Sequence, residues 1–130
     1  MVEYTLSSTD GLTRTQIRNQ PKVQSFLNVI GQSSLKTRKN YETSLVRFQE
    51  FLNHKFVGAY SLETIIDGIG KKEVDPYTLI DNFVSFESTN TRTVRGKEVK
   101  VLPQTVRAML IGIKSYLAYY DIDFIPSKFN

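Results

Sequence analysis

Lys36, Thr37, Arg38 and Lys39 follow directly on Ser33-Ser34-Leu35, and residues of these types in this order can hold an anion. Either serine can cap a helix. The first helical turn then offers backbone N–H groups with no partner inside the helix, and a hydroxyl and three cations stand beside them. Arg47 repeats with Lys36, Lys39 or Asn40, and Thr43 at helical spacing. A second set, Gln104, Thr105, Arg107 and Lys114, follows Pro103, and Arg92 and Arg95 lie in a basic stretch before it. Lys and Arg neutralise phosphates and release counterions, Thr hydroxyls add hydrogen bonds, and Gln104 or Arg107 could instead reach a base edge. These eleven residues are the candidate contacts to a phosphate backbone.

Covalent chemistry finds much less support. The single histidine, His54, stands at a helix end beside Lys55, and the chain has no cysteine. One histidine without cysteine does not make a usual zinc site, so no metal and no cofactor is expected. No glycine-rich phosphate loop follows a strand. Asp75, Asp81 and Glu87 share one helical segment, where carboxylates ordinarily solvate a face. Of the seven tyrosines, Tyr41, Tyr116, Tyr119 and Tyr120 fall at core or near-core spacing and read as packing residues.

A chain of 130 residues is one domain, large enough to bury a core. No apolar run approaches the roughly 20 residues of a membrane span, and the start of the chain lacks the basic-then-apolar layout of a signal peptide; a cytoplasmic location is the default. The net charge of +4 is unevenly placed. Residues 34–56 carry five basic and two acidic side chains, 57–88 carry two and six, and 89–107 carry five and one. If folding brings the two basic blocks together, one surface becomes positive.

Several elements must position these residues. Residues 1–20 are polar, with Ser7-Ser8-Thr9-Asp10-Gly11 reading as a loop, and are expected to form a loose N-terminal arm. Pro21 opens a short helix through Phe26, Leu27 and Ile30, stopped by Gly31. The next helix carries Tyr41, Leu45, Phe48, Phe51 and Leu52 as a core stripe. Ser61 caps a short helix ended by Gly68 or Gly70. Asp75-Pro76 starts another, with Tyr77, Leu79, Ile80, Phe83, Val84 and Phe86 mostly on one side. Around Arg95-Gly96-Lys97 polar and β-branched residues alternate, which fits either a small hairpin over 92–101 or a loop. The last long helix starts at Pro103, with a core stripe of Val106, Leu110, Ile113, Leu117 and Tyr120.

The ordered set Ser34-x-x-Thr37-x-x-x-Tyr41-x-x-x-Leu45-x-x-Phe48-x-x-Phe51-Leu52 resembles the first major helix of the core-binding (SAM-like) domain of the tyrosine recombinase, or phage integrase, family. Leu79-Ile80-x-x-Phe83, then Pro103-x-Thr105-Val106-x-x-x-Leu110-x-x-Ile113-Lys114-x-Tyr116-Leu117-x-Tyr119, then Ile122, resembles the remainder, over roughly residues 23–129. The resemblance implies an all-α fold, a compact bundle of four to five helices over 21–130 that grips one face of duplex DNA. Its partners would be double-stranded DNA and a covalently linked catalytic domain, with room for self-association on DNA and no membrane. In the family the C-terminal catalytic domain carries the nucleophilic tyrosine; no segment here corresponds to it, so no catalytic residue is assigned. The basic 88–101 segment is longer than the short loop the resemblance implies.

The sequence thus points to a non-catalytic DNA-binding domain serving site-specific recombination by a separate catalytic domain. The alternative is a helical protein–protein interaction module with an incidental basic face. An autonomous enzyme is the weakest of the three.

Overall fold

The computed structural model describes residues 8–89 and 91–124. They form an all-α bundle of six helices and a two-stranded hairpin: α1 Ser8–Arg18, α2 Pro21–Gly31, α3 Leu35–Lys55, α4 Leu62–Gly70, α5 Pro76–Thr89, β1 Thr91–Val94, β2 Lys97–Lys100 and α6 Pro103–Tyr119. Helix α3 is central and touches α1, α2, α4, α5 and α6. Its Leu45, Phe48, Phe51 and Leu52 are buried as the spacing required, together with Phe26 and Leu27 of α2, Leu79, Ile80 and Phe83 of α5, and Ile113 and Leu117 of α6. The rings of Phe48, Phe51 and Phe83 meet pairwise at 5.6–6.1 Å between centroids.

Local chemistry sets the helix starts. The Ser34 hydroxyl accepts from the Thr37 N–H at 3.2 Å, and Asp75 Oδ2 accepts from the Thr78 N–H at 2.9 Å. Helix α4 is capped by three residues. The Leu62 N–H donates to Gln49 Oε1, that of Glu63 to Gln20 Oε1, and that of Thr64 to the Ser61 hydroxyl. Three of the orphan donors of its first turn are thereby satisfied, two of them by glutamines from other parts of the chain. Both glutamines are buried, and Gln20 Nε2 donates to Gln49 Oε1 at 3.3 Å.

The loose arm expected over residues 1–20 is not what residues 8–18 form. They are helical, with Ser8–Gly11 inside α1, and Ile17 is fully buried in the core; residues 1–7 lie outside the described residues. Apolar residues are too sparse there for periodicity to register. The helix is held by Ile17 and by ion pairs to Glu42 on α3.

The 92–101 segment resolves as the hairpin. Val94 pairs with Lys97, leaving the two-residue turn Arg95-Gly96. Both have left-handed backbones, φ 52° and 77°, the geometry of a turn whose twist matches antiparallel strands. Strand β2 is exposed throughout.

Three helices end without glycine where glycine is favoured. Val57, Lys72 and Asp121 have φ of 52°, 62° and 69°. Each is followed by a residue whose N–H reaches back five positions, Gly58 to Asn53, Glu73 to Gly68 and Ile122 to Leu117. This is the closing bond of a C-terminal cap whose left-handed position glycine fills most readily. Val57 is the most strained of the three, being β-branched, and its side chain gains little from packing, at 90% exposure.

Val57→Gly is therefore expected to raise stability by about 1 kcal/mol in urea unfolding, by relieving the left-handed strain. Phe48→Ala should lower it by about 3–5 kcal/mol.

Candidate nucleic-acid interface

The start of α3 opens on a cleft of about 740 Å³ lined by Arg18, Gln24, Leu35, Lys36, Arg38, Lys39 and Glu42. Three of the sequence candidates, Lys36, Arg38 and Lys39, thus come together. Thr37 is half-buried, its N–H on the Ser34 cap. The stem of Arg38 lies across Gly31, whose missing Cβ would sit 3.0 Å from Arg38 Cδ. That contact restricts the arginine before any ligand arrives.

Thr105 lines a second groove, with Asn40, Tyr41, Thr43 and Ser44 of α3 and Ala108, Met109 and Ile111 of α6. The two concavities share α3: residues 35–42 line one and 40–44 the other. Gln104 and Arg107 are exposed on α6. Lys114 is half-buried, its Nζ 5.8 Å from the centre of the Phe124 ring. Arg95 sits at the exposed hairpin turn. Arg92 is on β1, and its side chain lies outside the described residues.

Arg47 does not belong to this surface. It is buried, and its guanidinium donates from Nε to Glu87 Oε1 at 3.1 Å and from Nη2 to Oε2 at 3.4 Å, with a further ion pair to Glu50. Glu87, expected to solvate a helix face, is 0% exposed. Helical spacing placed Arg47 with Lys36 and Lys39, but the packing of α5 against the second half of α3 covers it. Two groups that each read as solvated have become one buried pair.

Sequence reasoning missed Arg14, Arg18 and Glu42. Glu42, almost fully buried, accepts from Arg14 Nη1 at 2.7 Å and from Arg18 Nη2 at 3.0 Å, with a longer bond from Arg18 Nε. Burial, the largest single effect, pushes its pKa up. The hydrogen bonds and charges of Arg18 and Arg14 together outweigh it, and the carboxyl is held below its usual range. The signal in the sequence was Arg14 and Arg18 four apart beside Ile17, a helical turn with one apolar and two cationic positions.

Of the tyrosines, Tyr116 is fully buried, donates to the Leu62 carbonyl at 2.9 Å, and has its pKa raised chiefly by burial. Tyr41 and Tyr120 pack against the core, whereas Tyr119 is exposed over part of its ring. Among the described residues no group of three or more His, Cys, Asp or Glu side chains could hold a metal, and no helix is long and apolar enough to cross a membrane. Comparison with protein families, with characterised proteins and with solved structures finds no match.

Arg47→Ala should destabilise the fold by about 3–5 kcal/mol, because it removes the guanidinium that pairs with the buried Glu87 carboxylate; a loss under about 1 kcal/mol in urea unfolding would return Arg47 to the surface. Glu42 gives a dependence on pH. Its folded pKa is depressed, so its contribution is present above the unfolded value and lost as pH falls through the folded one. The stability difference between wild type and Glu42→Gln should be full at neutral pH. It should shrink as pH is lowered through and below the ordinary carboxylate value of about 4.3.

Proposed function

We propose that the chain is a non-catalytic, duplex-DNA-binding domain, in the manner of the core-binding domains of tyrosine recombinases, serving strand exchange carried out by a separate catalytic domain. The observation that carries this reading is the cleft at the start of α3, where Lys36, Arg38 and Lys39 stand around the first turn of a capped helix and Arg18 joins them from α1. A phosphate there would meet backbone N–H groups, the positive end of the helix dipole and several cations at once. Arg107 and Gln104, exposed on α6, are the candidates for base edges.

A second reading, a protein-interaction module, draws on exposed apolar side chains beside the polar ones: Leu35 at 72% in the cleft and Ile111 at 59% in the groove. Salt separates the two. Binding through phosphates releases counterions, whereas docking of apolar side chains does not.

The domain should bind duplex DNA with little sequence preference at roughly 10⁻⁴–10⁻⁶ M in physiological salt, with log K falling against log salt at a slope of about −4 to −5 for about five phosphates. Affinity that ignores salt would favour the interaction module. Alanine at Lys36, Arg38 and Lys39 should weaken binding more than alanine at Arg92, Arg95, Lys97 and Lys100. The first set stands on a core-packed helix. The second extends from a two-stranded hairpin with β2 fully in solvent, a unit of marginal stability alone. A larger loss from the hairpin variant would move the main grip to residues 91–100.

A further inference from the structure

We propose that Glu42 is a positioning residue, which holds Arg18 of α1 at the rim of the α3 cleft and so makes α1 part of the DNA-contacting surface. The inference rests on the DNA-binding reading above and concerns how the same cleft is built.

A carboxylate on the floor of a cationic cleft is at first sight an obstacle to binding DNA. Lys36, Arg38, Lys39 and Glu42 on α3 sum to +2; with Arg14 and Arg18 recruited from α1 the sum is +4. The anion therefore brings in more positive charge than it removes. The geometry bears out a holding role. Glu42 is nearly buried, while Arg18 keeps 58% of its side chain in solvent and lines the cleft with Lys36 and Lys39. Glu42 engages two of the Arg18 donors, Nε and Nη2, and a guanidinium has five N–H groups, so three remain for a phosphate. A second constraint comes from the chain: Ile17, next to Arg18, is fully buried and fixes the root of the side chain. An arginine held at both ends loses less freedom when it meets its ligand than one free in solvent.

Charge and positioning predict opposite signs for the same substitution. Removing a negative charge from a DNA-binding surface should strengthen binding if charge alone matters. Glu42→Gln should weaken it about three- to tenfold if Glu42 acts by holding Arg18. The test is titration of a fluorescent duplex with the whole chain across a salt series, using Arg18→Ala, Glu42→Gln and the double variant. Far-UV circular dichroism checks that each is folded.

Arg18→Ala should weaken binding and reduce the salt slope by about 1, the signature of one lost phosphate contact. In that background Glu42→Gln should no longer weaken binding, and should strengthen it, since only charge is left. Glu42→Asp keeps the charge on a shorter side chain, and should weaken binding like Glu42→Gln; it decides the matter if Glu42→Gln does not fold. Binding by the folded Glu42 variants that equals or exceeds wild type, or an unchanged salt slope in Arg18→Ala, overturns the proposal. If wild type shows no salt-dependent DNA binding at all, it is the DNA-binding reading that fails. If wild type binds, and loses affinity on Lys36→Ala and Lys39→Ala but not on Arg18→Ala, only the role of Glu42 and α1 fails.

Discussion

Helices α3 and α6 are in close contact where Gly112 faces Ser44. A Cβ on Gly112 would stand 2.8 Å from Ser44 Cβ and 3.5 Å from Tyr41 Cα, so no larger residue fits without moving a helix. Ser44 is buried there because its hydroxyl donates to the Asn40 carbonyl within its own helix and needs nothing from α6. This contact indexes the last helix against the central one. With α6 so placed, Tyr116 reaches the Leu62 carbonyl on α4, and Tyr116 and Tyr119 both meet the Phe26 ring on α2, which also stacks on Tyr41. The groove holding Thr105 and Ile111 is a consequence of the same crossing.

Polar groups taken inside obey a second constraint: each must bring its partner with it. Gln20 and Gln49 do so by capping α4 with side chains that also bind each other. Arg47 and Glu87 do so as an ion pair from α3 and α5. Glu42 does so with two arginines from α1. All three arrangements include a residue of α3, so the central helix organises the polar interior as well as the apolar one. They also divide the cations into two kinds. Arg47 is committed to the fold, whereas Lys36 and Lys39 are exposed and Arg18 both pairs with Glu42 and lines the cleft.

The cleft at the start of α3 gains its character from that division. Its backbone donors come from a capped helix end, its cations from two helices, and its shape from the way α1 and α2 lie against α3. The proposed ligand, extended and negatively charged, would meet there a surface whose charges are already placed, so that little ordering would be required on binding.

Much of this was legible in the chain because it depends on neighbours in sequence. The serine at 34, the serine at 61, the Asp75-Pro76 pair and Pro103 mark helix starts by bonds or ring geometry within a few residues. The stripe from Leu45 to Leu52 declares a core face by its spacing alone. The sequence also brought Lys36, Arg38 and Lys39 into one turn, and the structure leaves them there. Other features required distant partners. The helix over Ser8–Arg18 is held by Ile17 in the core and by a carboxylate 24 residues beyond Arg18, and neither is visible in local composition. Arg47 and Lys36 look alike on a helical wheel; what separates them is that α5, reached 40 residues later, carries Glu87 to one and not the other. Spacing along a helix determines which residues share a face, but only the packing of the other helices determines whether that face meets water, because burial belongs to the assembled surface and not to the strand of residues that supplies it.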